Sequence, residues 1–399
     1  MKPIVIIGAG MAGFTVAREV RKLDKTVPLV ILTGDSGGFY SKPMLSNAFA
    51  QKKDAAQLVT QSAAQMAAQL DATILADTEV SGIDTAAQTV LTTGAPLDYA
   101  QLVLAVGAQP IRLKIEGDGA DLVQSVNHIA DYARFREQIA LPRHGACARV
   151  TILGAGLIGC EFADDLAGAG HAVTLVDPSA LPLAALAAPA ISRGLQAALT
   201  ARGVVMHLGT TASLITRQGN ALQVRLANGA EFTTDLVLSA VGLRPDLRLA
   251  SAAGLATGRG ILVDASGQTS APHIYAVGDC AEYATAGGGT RTLPYIAPLM
   301  AAARAIARTL TGTPSTIDMK ESPVLVKTPS FPVALVPPPL AAMAGGAWHD
   351  SHADGRMVCR FLDADGVMLG FCVAPQDAAS RNALLAGLGN TPETSTAAG

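Results

Sequence analysis
The chain has 399 residues, half of them hydrophobic, which is too long for one core and predicts two or three domains. A net charge of −3, the lack of any Lys/Arg run and only 4% aromatic residues exclude the electrostatic and stacking footprints of a nucleic-acid binder. The five cysteines, Cys147, Cys160, Cys280, Cys359 and Cys372, form no Cys-x-x-Cys pair. No disulfide framework, redox dithiol or metal site is therefore expected, and each thiol reads as a small buried hydrophobe.

Residues 1–7 hold one Lys and a short apolar run that stops at Gly8, so they read as a strand and not as a signal peptide or membrane span. The turn that follows is Gly8-Ala9-Gly10-Met11-Ala12-Gly13. In such a turn the first glycine permits the bend, the second lets a pyrophosphate approach the backbone, and the third lets the helix pack on the strand. The anion would sit where free N–H groups and the helix dipole converge. Val16, Val20 and Leu23 then carry a helical period, and a strand is expected at 29–32. Asp35 is the candidate for the adenosine ribose, with a plain turn-forming role as the alternative.

A helix-rich stretch is predicted over 54–70, then short strands at 74–75, 89–91 and 101–106. The strand–turn–helix pattern returns at 149–170 with Gly154-Ala155-Gly156-Leu157-Ile158-Gly159, followed by Ile158, Phe162 and Leu166 at helical spacing. Asp177 ends the next strand, 172–176. A carboxylate there accepts hydrogen bonds from an adenosine 2′-hydroxyl and repels a 2′-phosphate. Residues 178–186 contain no Lys or Arg, so NADH is favoured over NADPH; a helix or turn cap is the alternative role for Asp177.

Further strands are read at 221–229, with a turn at Asn228-Gly229, and at 235–242, 261–263 and 274–277. The last of these delivers Gly278-Asp279 to its carboxyl end. A helix over 297–311 has Pro298 near its start and Gly312 just past its end. Its positive N-terminal end favours negative charge nearby. After Ser322 the chain turns Pro-rich and then β-like, at 357–362 and 367–373. The apolar stretch 331–347 is broken by Pro332 and Pro337-Pro338-Pro339, so it is not a spanning helix and a cytoplasmic protein is expected.

The fold class expected is α/β: two Rossmann-like domains, for FAD and NAD, and a small C-terminal α+β domain. The boundaries read are 1–112 with 244–320 for FAD, 113–243 for NAD, 321–386 for the small domain, and 387–399 as a disordered tail. Two dinucleotide sites in one chain make sense if one holds a tightly bound flavin and the other a diffusible nicotinamide that gives it hydride.

At this point the sequence resembles the flavoprotein reductases with two dinucleotide-binding domains, and among them the NADH:rubredoxin reductases, then the flavorubredoxin reductases. The matching runs are Ile6-Ile-Gly-Ala-Gly-Met-Ala-Gly, Tyr40-Ser-Lys-Pro-Met-Leu-Ser, Leu104-Ala-Val-Gly-Ala, Gly154-Ala-Gly-Leu-Ile-Gly-Cys-Glu-Phe-Ala, Ser239-Ala-Val-Gly-Leu-Arg-Pro, Ile274-Tyr-Ala-Val-Gly-Asp-Cys-Ala-Glu and Val326-Lys-Thr-Pro. The Tyr-Ser-Lys-Pro and Val-Lys-Thr-Pro elements are the specific ones; the glycine motifs indicate only the superfamily.

The resemblance implies that Ala9 to Ala12 line the pyrophosphate and that Asp279 binds the flavin ribitol. It also implies that Val80 presents its backbone to the adenine, with Ala105 among the flavin-site residues. Lys42 and Pro43 would lie beside the isoalloxazine. Glu161 would stand near the flavin–nicotinamide contact, paired with Lys42, and Ile296 and Lys327 would close the pocket. Lys42 and Glu161 are the residues expected to assist the reaction. Each has a bland competitor: a surface lysine before a proline for Lys42, a dipole-favoured carboxylate for Glu161, a solvated loop for Lys327.

Related disulfide reductases need a dithiol near the flavin, and related oxidases and peroxidases a single Cys in the region of residues 40–46. This chain has no cysteine before Cys147, so electrons must leave the flavin directly. The activity implied is electron transport from NADH through FAD to rubredoxin. A ferredoxin or flavorubredoxin as carrier, and a non-catalytic FAD/NAD-binding sensor, are the alternatives.

Overall fold
In a computed structural model, residues 1–141, 147–285, 289–353 and 355–391 are described. The chain divides into two compact units: residues 1–42, 55–111 and 243–320 form one, and residues 43–54, 112–242 and 321–399 the other.

The first unit is built on a parallel sheet of five strands in the order Ile274–Ala276, Gln101–Leu104, Ile4–Ile7, Leu29–Leu32, Thr73–Leu75. The central strand is buried along its whole length, as expected where both faces of a parallel sheet are covered. Each of its side chains contributes roughly 1.5–3 kcal/mol of burial. Helix Met11–Leu23 buries Phe14, Val16, Ala17 and Val20, but Leu23, the last residue before the cap, is exposed. Helix Ile296–Leu310 packs against it, and Gly312, two residues past its end, takes the left-handed conformation that a helix stop favours. The stretch 54–70 is not one helical region: Ala55–Leu58 and Ala63–Leu70 are separated by strand Val59–Gln61, which pairs with Phe39–Tyr40. Strand Val80–Asp84, absent from the sequence reading, starts an antiparallel sheet with Thr89–Thr92 and Leu97–Asp98.

The second unit repeats the pattern with four parallel strands, ordered Val205–Leu208, Ala172–Asp177, Arg149–Leu153, Leu236–Ser239. Phe162 and Leu166 of helix Leu157–Gly168 are buried, while Ile158, in its first turn, is exposed. An antiparallel sheet of Ala212–Gln218, Ala221–Leu226 and Glu231–Thr234 includes the Asn228-Gly229 turn.

The C-terminal segment forms a five-stranded antiparallel sheet, ordered Val324–Val326, Val333–Val336, Met368–Ala374, Arg356–Leu362, Ala347–Ala353, with helix Ala378–Ala386 on it. It clusters with the second unit. Phe331 packs over Gly194 of helix Pro189–Ala201, and Ala188 N donates to Cys372 Sγ at 3.4 Å. Of the tail expected from 387, Gly389 N donates to Met368 O and Met368 N to Asn390 O, so the chain is held to Asn390. Residues 392–399 lie outside those described. Among the described residues no helix is long and apolar enough to cross a membrane.

Candidate functional site
In the first unit the glycine turn has the division of labour the motif requires. Gly8 has φ +114°, and a Cβ on it would stand 2.2 Å from Ala105 O; one on Gly13 would stand 1.9 Å from Gly8 O. A Cβ on Gly10 would meet nothing within 4 Å. The outer glycines are thus demanded by packing, and the middle one leaves an open approach to the helix. Gly10 caps that helix without a side-chain hydrogen bond, so its first-turn N–H groups lack an intrahelical partner, the arrangement that favours an anion. Ala9 is buried and Met11 and Ala12 half-buried beside it.

Three strands end at this turn. Ala105 follows one of them, its N–H donating to Ile7 O at 2.8 Å. Val277 N donates to Leu104 O, bringing up Gly278, whose positive φ of 79° lets it sit against Ala12. Asp279 is next, with its carboxylate 3.9 Å from Lys42 Nζ. Ile296, the first residue of its helix, is exposed. Asp35 closes its own turn: one oxygen accepts from Thr33 Oγ1 (2.7 Å) and Gly37 N (2.9 Å). Val80 is half-buried, beside a register shift in its pairing with the Thr89–Thr92 strand.

The second glycine turn has the same geometry. Gly154 has φ +104° and a Cβ there would stand 2.7 Å from Ala240 O; on Gly159 it would stand 1.8 Å from Gly154 O; on Gly156 it meets nothing within 4 Å. Asp177 lies on this turn, one oxygen accepting from Ala155 N at 2.6 Å and the other from Ser179 N at 2.7 Å. Its carboxylate is thereby oriented by two backbone donors, and each oxygen keeps a lone pair for a ribose hydroxyl.

Glu161 is 2% exposed. Its Oε1 accepts from Lys327 N at 2.9 Å, and its Oε2 accepts from Lys327 Nζ and from Ser46 Oγ. The pairing expected with Lys42 is therefore corrected: the ion pair of Glu161 is with Lys327, because strand Val324–Val326 delivers both the N–H and the ammonium of the next residue to that carboxylate. Lys327 is half-buried and not in a solvated loop. Lys42 and Pro43 fall on opposite sides of the division between units.

Four of the five thiols are shielded by burial. All are free; Cys160, Cys280, Cys359 and Cys372 are buried, while Cys147, just ahead of strand Arg149–Leu153, is exposed, contrary to the expectation. Burial pushes Cys280 up to about 11 and Cys160 further still, so neither is a thiolate near neutral pH.

Sequence reasoning gave no role to Ser46, Asp164, Asp165, Arg202 or Ser330. The signal available was Glu161-Phe-Ala-Asp-Asp, three acids at i, i+3 and i+4 within an apolar helix.

The model of the pyridine nucleotide-disulphide oxidoreductase family matches residues 2–306, and that of the rubredoxin-binding C-terminal domain matches residues 316–388. The chain is 43% identical to the rubredoxin-NAD(+) reductase of Alcanivorax borkumensis, covering 94% of this chain and 95% of that one. It is 39% identical to the nitric oxide reductase FlRd-NAD(+) reductase of Aeromonas salmonicida, over 93% of this chain and 92% of that one. Among solved structures it resembles the ferredoxin reductase of the CYP199A2 system from Rhodopseudomonas palustris, with a TM-score of 0.87, 26% identity and coverage of 98% of this chain and 96% of that one. The reductase in the covalent putidaredoxin reductase–putidaredoxin complex gives a TM-score of 0.85 at 25% identity, covering 96% of this chain and 92% of that one. Two open glycine turns, a family model over residues 2–306 and these full-length relatives together make this chain a member of the pyridine nucleotide-disulphide oxidoreductase family, carrying a rubredoxin-binding C-terminal domain.

Proposed function
We propose that this chain is an NADH:rubredoxin oxidoreductase that uses FAD. The observation that carries the reading is the occurrence, in one chain, of two dinucleotide turns with open middle glycines and a C-terminal segment matching a rubredoxin-binding domain. Bound FAD would supply the change from hydride to single-electron chemistry.

The chain's own groups bind and orient. The N–H groups of Met11 and Ala12 would receive the FAD pyrophosphate, and Asp279 the ribitol. Lys42, close to Asp279, would put a positive charge by the ring, with Pro43 and Ile296 beside it. Ala105, Val80 and Asp35 would complete the site, Asp35 through the oxygen its turn leaves free. In the second unit, the N–H groups after Gly156 would receive the NADH pyrophosphate and Asp177 the ribose diol. A 2′-phosphate would meet the Asp177 carboxylate with no cation from 178–186 to offset it, which favours NADH. Glu161 and Lys327 would form a fixed ion pair. A cytoplasmic location fits five unbridged thiols.

The relatives named for flavorubredoxin keep a second carrier open. A sensor that only binds is separated by a simple measurement. The purified, flavin-loaded protein is mixed anaerobically with NADH and then with a one-electron dye. Fast bleaching and repeated turnover are expected; a yellow protein that NADH leaves unbleached would refute the reductase reading. Lys42→Ala and Glu161→Ala are expected to slow bleaching by roughly ten- to hundred-fold without abolishing it, since orientation and charge, not covalent chemistry, are lost.

A further inference from the structure
Helix Leu157–Gly168 buries three carboxylates on one face, Glu161, Asp164 and Asp165. Buried acids are tolerated only when donors answer them, and apolar residues would fill such positions at no loss of stability. Here every carboxylate is answered, and by two segments remote in sequence. Asp165 Oδ2 accepts from Phe49 N at 2.8 Å and its Oδ1 from Ala50 N at 2.9 Å. Asp164 Oδ2 accepts from Ser330 N at 2.9 Å, while its Oδ1 lies 3.0 Å from Arg202 Nε. Glu161 holds Ser46 from the first segment and Lys327 from the second.

The two segments are also joined to each other, Asn47 Nδ2 donating to Lys327 O at 2.8 Å. The far end of the first is fixed where Tyr132 Oη and Arg136 Nη1 donate to Lys53 O at 2.9 and 2.8 Å. Gly168 makes room for the counter-ion, since a Cβ there would stand 2.6 Å from an Arg202 guanidinium nitrogen. Burial pushes the Asp165 carboxyl above the usual carboxylate range, and the Ala50 and Phe49 N–H groups pull against that rise.

We propose that Asp164 and Asp165 are positioning residues for flavin reduction by NADH, acting through the backbone at 49–50 and 330 to seat Ser46 and Lys327 on Glu161. The proposal rests on the reductase reading above. Segment 43–54 follows Lys42 directly in the chain, and 327–330 follows Val326, so a slip at either anchor moves groups assigned to the site. The Asp165 carboxylate engages two backbone donors in fixed directions, and Asp164 one backbone donor and the Arg202 charge, which an amide or an apolar residue does not reproduce.

The test uses flavin-loaded wild type, Asp165→Asn and Asp164→Asn in stopped-flow absorbance. In each variant an NH₂ faces a donor formerly met by oxygen. At saturating NADH the bleaching rate is expected to fall by about ten-fold or more. The half-saturating NADH concentration is expected to change by less than about three-fold, and dithionite-reduced variants to reduce ferricyanide at the wild-type rate. Flavin-loaded variants that bleach at the wild-type rate overturn the proposal, even if they unfold earlier on heating; the acids then only stabilise. If neither variant folds with flavin, Arg202→Gln decides, because its side chain is one-third exposed and all three carboxylates remain. A drop of about two- to five-fold supports the proposal and an unchanged rate overturns it. A wild type that NADH does not bleach refutes instead the reductase reading, so the two failures are distinguishable.

Discussion
Gly8 and Gly10 are two residues apart in one turn, yet an added methyl meets Ala105 O at 2.2 Å in the first case and nothing within 4 Å in the second. Gly8→Ala also forces a side chain into a left-handed backbone, and the strain and the clash together should cost about 3 kcal/mol or more. Gly10 is extended, at φ −79° and ψ −172°, so alanine there is unstrained. The FAD-free Gly10→Ala protein is expected to melt within about 2 °C of wild type, with FAD affinity lower by about ten-fold or more because the methyl stands where the pyrophosphate would lie. Thermal unfolding without FAD and a flavin titration measure the two effects; a Gly10→Ala variant that binds FAD as wild type does would remove the pyrophosphate from this turn. These glycines were legible because a motif fixes their spacing. The partner of Glu161 was not, since Lys327 lies 166 residues away and only the fold decides which lysine arrives. Asp164 and Asp165 were missed for a related reason: acids in a helix read as its solvated face unless the depth of the helix is known.

Among the elements, both strand–turn–helix units were readable because a β-branched run that stops at a glycine turn and gives way to period 3.6 is a strong local signal. Helices Ile129–Ile139 and Pro189–Ala201 went unread because no glycine turn marks their start, although the second spaces Ile191, Leu195 and Leu199 at helical intervals. The second of these contains an instructive conflict. Gly194 sits in its interior, where propensity alone says alanine would stabilise by about 1 kcal/mol. A Cβ there would stand 2.5 Å from Phe331 Cζ, on a half-buried ring. Overpacking of this kind typically costs about 1–3 kcal/mol and should win, so Gly194→Ala is expected to lower the unfolding temperature by a few degrees. An increase would mean that Phe331 yields freely and that the glycine is not a packing requirement. The helix-rich stretch read at 54–70 holds helices Ala55–Leu58 and Ala63–Leu70; the strand between them, Val59–Gln61, was not read because its pairing with Phe39–Tyr40 is a tertiary choice.

At the scale of the molecule, the division into units follows long-range contact and not chain order. The chain passes from one unit to the other after Lys42, Asp54, Ile111, Gly242 and Lys320. Sequence placed boundaries after residues 112, 243 and 320, beside recognisable motifs. It did not show that residues 43–54 leave the first unit, or that the C-terminal sheet joins the second, since those outcomes depend on Asp165, Glu161 and Gly194 meeting partners far along the chain. That C-terminal sheet also lies in the segment that matches a rubredoxin-binding domain. The most direct test follows the second half-reaction. The flavin-loaded protein, reduced anaerobically with one equivalent of NADH, is mixed with oxidised rubredoxin, with a [2Fe–2S] ferredoxin, or with buffer, and the flavin and iron absorbances are followed together. Rubredoxin should restore the flavin colour as its own iron band fades, many times faster than ferredoxin or buffer does. Reoxidation by rubredoxin no faster than in buffer would contradict the assignment.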